Sequence, residues 1–294
     1  MLEIQNITKH YGERAALDDV SFTVGSGRMT GFVGGNGAGK TTAMRIILGV
    51  LGADSGTVTL EGRPLTAADR RRFGYMPEER GLYPKMKVLE QIVYFGRLHG
   101  WSPASARRNA IDLLERLGLG ERIDDTVESL SLGNQQRAQI AAALVHHPEV
   151  LVLDEPFSGL DPMAVEVVQS VLTDYADRGA PVLFSSHQLD IVERLCDDLV
   201  IIADGRIRAA GPRAELRDIH APATYELLLS GDVGWLRDLP GIRVLEFDGG
   251  YALFEAETDA DRQAVLRAAM THGDVVSFGR QQVTLAQIFK EVVR

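Results

Sequence analysis

The chain has 294 residues, 45% of them hydrophobic and 24% charged, the composition of an ordinary globular protein with room for one large domain or two moderate ones. Its formal net charge of -10 argues against nucleic acid as the main partner, because a phosphate backbone is met by a basic footprint. The single cysteine, Cys196, excludes an internal disulfide and a cysteine metal cluster, and such low cysteine use suits a reducing cytosol.

The first third reads as strand-rich. Leu2 and Ile4 alternate with polar neighbours, as do Val20, Phe22 and Val24 and later Val58 and Leu60. This two-residue period predicts an antiparallel layer. Met29 to Val33 is a short apolar run suited to a buried strand. Directly after it stands Gly34-Gly35-Asn36-Gly37-Ala38-Gly39-Lys40-Thr41-Thr42, which fits the phosphate-loop pattern G-x-x-x-x-G-K-[ST]. Small residues let consecutive backbone N–H groups turn toward a polyphosphate. Lys40 adds a point charge for the outer phosphates, and the Thr41 hydroxyl is of the kind that holds Mg²⁺. Thr42 to Leu48 reads as a helix ended by Gly49, and its positive end faces the same anion. Arg70-Arg71-Arg72 reads as a solvated segment.

From Val88 to Leu117 the pattern turns helical, with a break at Trp101-Ser102-Pro103 where Ser102 is a capping candidate. Another helix is expected over Asn134 to Val145, with His146 and His147 at its end meeting terminal carbonyls or supplying charge. Val150 to Leu153 is a continuous apolar run, a strand buried on both faces. It ends in Asp154, placed for Mg²⁺, and Glu155, whose carboxylate can accept a proton from attacking water. A helix over Ala164 to Arg178 stops at Gly179. Val182 to Phe184 is a second buried strand, and Leu199 to Ile207 is a hairpin turning at Asp204-Gly205. Strands alternating with helices imply a parallel sheet with its chemistry at the strands' carboxyl ends.

Past Gly211-Pro212 the organisation changes. Val244 to Phe247 and Tyr251 to Phe254 flank a hairpin signal, a helix follows from about Asp259 to Thr271, and Leu285, Ile288, Phe289 and Val292 recur at helical spacing. No stretch of about 18 apolar residues occurs, so no membrane-spanning helix is expected.

With these residues in view, the chain resembles the nucleotide-binding subunit of an ABC transporter over residues 1 to about 210. Ser131-Leu132-Gly133-Asn134-Gln135 is similar to that family's signature motif, and Ser158-Gly159-Leu160-Asp161 to its D-loop. His187 falls at the switch histidine, Tyr11 where an aromatic ring stacks on adenine, and Glu78, in Tyr75-Met76-Pro77-Glu78, at the Q-loop. The tail is similar to the accessory domain of some efflux-type members.

The resemblance implies an α/β P-loop NTPase core, a mostly parallel sheet flanked by helices, with an antiparallel β subdomain, a helical subdomain over about 84–147 and a small C-terminal α+β domain. The expected boundaries are 1–212 and 213–294. It implies ATP and Mg²⁺, with Thr41, Asp154 and Glu78 toward the metal, Lys40, Glu155 and His187 in catalysis, and Tyr11, residues 34–42, Ser131, Gly133, Asn134 and Asp161 toward nucleotide. In the family, the Ser131 and Gly133 positions meet the ATP of a second subunit, so a head-to-tail dimer is implied.

It further implies a separate membrane permease near Glu78 to Tyr83, a cytoplasmic location on the inner membrane face, and export. A non-transport ABC ATPase acting on ribosomes or DNA is the alternative. Two departures stand out: Leu132 and Asn134 replace the usual Gly and Gln of the signature, and Glu78 replaces the usual Q-loop glutamine.

Overall fold

In a computed structural model, residues 1–220, 224–281 and 283–293 are described. The chain separates into two compact units, Met1–Arg213 with Phe289–Arg294, and Ala214–Ile288.

The first unit opens with β1 (Leu2–Tyr11) and β2 (Arg14–Val24), then β3 (Met29–Val33) and α1 (Lys40–Ile47). There follow β4 (Ser55–Leu60), β5 (Arg63–Pro64), α2 (Ala67–Arg70) and β6 (Phe73–Met76). Three helices come next: α3 (Val88–Leu98), α4 (Pro103–Arg116) and α5 (Leu132–Leu144). The unit continues with β7 (Val150–Leu153), α6 (Pro162–Asp177), β8 (Val182–Ser186), α7 (Leu189–Leu195), β9 (Asp198–Ala203) and β10 (Arg206–Pro212).

Two sheets result. The antiparallel one runs β2-β1-β4-β5, and the alternation seen in the sequence puts Leu2, Ile4, Leu17, Val20, Phe22 and Val24 into the core. The other runs β10-β9-β3-β8-β7-β6. Its strands pair parallel except for β10, which returns from β9 through a tight turn with Asp204 at φ 50° and Gly205 at φ 73°. Positive φ at both positions matches the right-handed twist of the flanking strands. The central strands β3, β7 and β8 are buried along their whole length, β7 as an unbroken apolar run and the other two with Thr30, Ser185 and Ser186 among their buried residues. Because these strands are parallel, the carboxyl ends of β3, β6, β7 and β8 open at the same edge.

The second unit begins within α8 (Arg213–His220) and carries β11 (Thr224–Leu229), β12 (Ile242–Asp248), β13 (Tyr251–Ala256), α9 (Asp259–His272) and β14 (Val275–Arg280). Its sheet order is β12-β13-β11-β14, with Leu227, Leu229, Phe254, Val265 and Ala269 in its core. The last helix, α10 (Leu285–Val292), crosses the division between the units.

Several local readings need correction. The helix expected from Asn134 starts at Leu132, because Ser131 caps it by accepting from the Asn134 N–H at 3.3 Å. His146 does not serve the helix end. It bonds the Phe73 carbonyl at 3.0 Å and stacks on His99, ring centroids 3.6 Å apart. Burial first, then the neighbouring His99, push its ring down to about 4, which removes the charge role. Arg70 and Arg72 are not a free basic patch. Arg70 donates to the Ile47 carbonyl at 3.0 Å, and Arg72 pairs with Asp69 and Glu149 at 2.8 and 2.6 Å. The reading of Cys196 as a core thiol needs no correction: the side chain is buried and its thiol is pushed well up by desolvation.

Candidate functional site

The site forms where β3, β6, β7 and β8 end. Between β3 and α1 the chain wraps into an open loop, with Gly37 at φ 76° and Gly39 at φ 111°. A Cβ at Gly39 would lie 2.7 Å from the Ala16 carbonyl, and one at Gly34 2.5 Å from the Ile202 carbonyl. Both glycines are therefore required by space, and Gly39 also by its backbone conformation. Lys40 is buried and folds back over the loop, its Nζ donating to the carbonyls of Gly34 at 2.6 Å and Gly35 at 3.3 Å.

Across the loop, the Thr41 hydroxyl donates to Asp154 Oδ2 at 2.9 Å. The opposite oxygen, Asp154 Oδ1, accepts from Ser185 Oγ at 2.5 Å, and the same Ser185 oxygen accepts from the Glu155 N–H at 2.9 Å. Ser185 thus pins the two consecutive carboxylate residues from the neighbouring strand β8. Glu155 takes φ 53°, a left-handed conformation that a non-glycine residue holds only when its surroundings enforce it. That turn places its carboxylate 3.0 Å from His187 Nδ1, at the end of β8. Behind it, Gln136 of α5 donates to the carbonyls of Glu155 and Pro156 at 2.9 and 3.2 Å.

The cavity at this edge holds about 440 Å³ and is lined by Tyr11, Arg14, Ala16, Gly35 through Thr42, Glu78, Asp154 and Glu155. The fold thus brings together Tyr11, residues 35–42, Glu78, Asp154 and Glu155 in one cavity, with Gly34 tied to it through Lys40 and His187 through Glu155. Tyr11 is exposed on the cavity rim, a flat apolar face open to a ligand. Ser131, Gly133, Asn134 and Asp161 do not line it. Ser131 caps α5, Asn134 accepts from Arg137, and Asp161 caps α6 by accepting from the Ala164 N–H at 2.8 Å.

Residue spacing did not single out Arg14, Ser185 or Gln136. A basic residue three positions after Tyr11 was the available signal for Arg14; the other two act through hydrogen bonds between elements far apart in sequence.

Loop amides, a buried lysine and paired carboxylates in one cleft are the parts that phosphoryl chemistry on a nucleoside triphosphate needs. The donor oxygens of Thr41 and Asp154 are hard, which fits Mg²⁺. Among the described residues no group of three or more His, Cys, Asp or Glu side chains could hold a metal by itself. Such a composition suits an ion that takes its remaining ligands from phosphates and water.

Comparison with known proteins agrees with this geometry. Residues 17–158 match the family described as ABC transporter, and residues 211–293 match the family described as ATP-binding protein DrrA1-3-like, C-terminal domain. The ABC transporter ATP-binding protein YhaQ of Bacillus subtilis is 37% identical over 294 residues, covering 100% of this chain and 98% of YhaQ. The chain belongs to the ABC transporter ATP-binding protein family.

As a member, the cassette is the ATP-binding, ATP-hydrolysing subunit of an ABC transporter. The linearmycin resistance ATP-binding protein LnrL of Bacillus subtilis is 36% identical over 219 residues, covering 74% of the cassette chain and 70% of LnrL. A solved structure, described as the ATP binding subunit of an ABC transporter, superposes with TM-score 0.68 at 32% identity, covering 74% of this chain and 92% of that one. The matched fold is the α/β cassette, and the helices and mixed sheets of the first unit are its parts.

Proposed function

We propose that two copies of this chain, or this chain and a homologous subunit, close head to tail on two Mg·ATP and drive a separate membrane permease that exports its substrate. The observation that carries the dimer is the position of the α5 N-terminus. Ser131 and Gly133 lie outside the cavity that Lys40, Asp154 and Glu155 share, so their hydroxyl and N–H groups are available to a phosphate held by another subunit.

In the reaction as we read it, Lys40 and the loop amides balance charge on the outer phosphates while Tyr11 covers the adenine. Thr41 and Asp154, with Glu78 facing them, would hold Mg²⁺, which would supply charge neutralisation for the phosphates. Glu155 accepts the proton of the attacking water, and His187, in contact with that carboxylate, orients toward the terminal phosphate. Closure biases the permease toward one state and hydrolysis releases it.

No helix among the described residues is long and apolar enough to cross a membrane. We read the chain as a peripheral cassette on the cytoplasmic face, beside a permease supplied by another chain. The exposed Tyr83, Tyr94 and Leu98 offer it an apolar contact surface. Export is favoured because relatives are named for linearmycin resistance and for Nod factor export. The C-terminal part of the sequence, over about 213–294, is read as an accessory domain.

The experiment is sedimentation of Glu155→Gln with and without Mg·ATP. ATP-dependent dimerisation that vanishes in Glu155→Gln/Ser131→Arg is expected. A dimer that survives the arginine would overturn the head-to-tail reading.

A further inference from the structure

Two glutamines one turn apart on α5 reach loops that belong to other elements. Gln136 holds the carbonyls of Glu155 and Pro156, as described above. Gln139 donates through its side-chain amide to the carbonyls of Pro77 at 2.7 Å and Glu79 at 3.0 Å. Both partners are acceptors, so the NH₂ end is the end that faces them. Gln139 is buried, and its other amide atom, Oε1, is buried with no hydrogen-bond partner. Packing alone would be served better there by an apolar side chain, since a buried acceptor left unpaired is unfavourable.

The clamped carbonyls belong to the residues on either side of Glu78. Glu78 lines the nucleotide cavity, is exposed, and makes no side-chain hydrogen bond or ion pair among the described residues. Its carboxylate is therefore placed by the backbone that carries it. Beyond the clamp, Arg80, Leu82 and Pro84 border a cavity of about 220 Å³ together with Val127, Glu128 and Gln135, so close packing does not fix the loop on that side. Gln139 also lines this cavity.

We propose that Gln139 is a positioning residue for Glu78, acting through the Pro77 and Glu79 carbonyls to aim that carboxylate at the metal and water end of the nucleotide site. This rests on the reading of Glu78 as a group facing Mg²⁺. The glutamine amide absent from position 78 is thus present one element away, used as a backbone clamp. It also ties α5, the helix whose first turn is offered to the second subunit, to this loop.

The test is a double-mutant cycle on the full chain with Gln139→Leu, Glu78→Ala and the pair, measuring kcat, KM for ATP, the Mg²⁺ concentration giving half-maximal turnover and, without turnover, the Kd of Mn²⁺ for the chain bound to a non-hydrolysable ATP analogue. Gln139→Leu is expected to lower kcat about tenfold and raise the Mg²⁺ requirement, with KM for ATP within about twofold, since small misplacements near reacting groups are felt in turnover. In the Glu78→Ala background it should add less than about twofold, because the two changes act through one carboxylate.

Equal cost in both backgrounds would overturn the proposal. Gln139→Glu, which keeps the volume but turns a carboxylate toward two carbonyls, must show the same kcat loss; wild-type turnover in that variant would overturn it too, whether or not Gln139→Leu folds. If Glu78→Ala alone keeps the wild-type Mg²⁺ profile, the reading of Glu78 fails. If Glu78→Ala is impaired and Gln139→Leu adds its full cost, only the clamp fails.

Discussion

His187 Nδ1 stands 3.0 Å from Glu155 Oε1, at the ends of two strands, β8 and β7, that are neighbours in the parallel sheet. The contact joins the proposed base to the proposed phosphate-facing ring. His187→Ala is therefore expected to lower turnover by about 10²-fold, the lower part of the range for a positioned acid–base group, while ATP affinity stays within about threefold. Glu155→Gln in the same background should add far less than it costs alone, since groups that act as a unit are not additive. Single-turnover phosphate release alongside nucleotide binding checks both. Independent, multiplicative losses would separate the two residues.

Ser185 connects Asp154 and Glu155 from behind, donating to the Asp154 carboxylate and accepting from the Glu155 N–H. It is fully buried, so Ser185→Ala leaves two polar partners without an obvious replacement. The expected cost is about 2 kcal/mol of stability and a drop in kcat of about tenfold or more, with a raised Mg²⁺ requirement because Asp154 is freed to rotate. Denaturant unfolding and a Mg²⁺ titration of turnover are the measurements. An unchanged Mg²⁺ profile would restrict Ser185 to a packing role.

At Gly39 the prediction rests on space. Alanine there would put its Cβ 2.7 Å from the Ala16 carbonyl at a backbone φ of 111°. The loop has to shift to accept it, at a strain of about 1–3 kcal/mol. Gly39→Ala should lose nucleotide binding by more than about tenfold while unfolding remains cooperative. Gly35, where nothing lies within 4 Å of a Cβ, should tolerate alanine with a smaller effect on folding.

The difference between Gly39 and Ser185 also explains what was readable in the chain. Gly34 to Thr42 and Val150 to Glu155 each place their chemistry within a few consecutive residues, so strand, loop and charged end appear together in the sequence. The alternation at Leu2, Ile4, Val20 and Phe22 likewise reports directly on which face is buried. The short edge strand β6 was not legible, because Phe73–Met76 has too few residues to show a period and contains a glycine. Ser185, Gln136 and Gln139 act across 19 to 62 positions of sequence separation, and nothing local marks them. The helix begins at Leu132 rather than Asn134 because the Ser131 cap outweighs the low helix propensity of Gly133.

The stacked pair His99 and His146 gives a prediction on stability with pH. His146 is largely buried against His99, and burial is the main reason its ring titrates near 4 when folded, against about 6.5 in the unfolded chain. Between those values the unfolded chain binds a proton that the folded one does not, so acid favours unfolding. The contribution of His146 is complete above about pH 6.5 and is lost progressively as pH falls toward 4, in total on the order of 2 kcal/mol after allowing for partial exposure. His146→Gln retains a donor for the Phe73 carbonyl but does not titrate. Thermal unfolding of both proteins from pH 7.5 to 4.5 should therefore show curves that converge on acidification, the wild type losing more of its midpoint. Parallel curves would mean that His146 takes up its proton in the folded protein, and that the ring is less enclosed than its contacts with His99 and Phe73 imply.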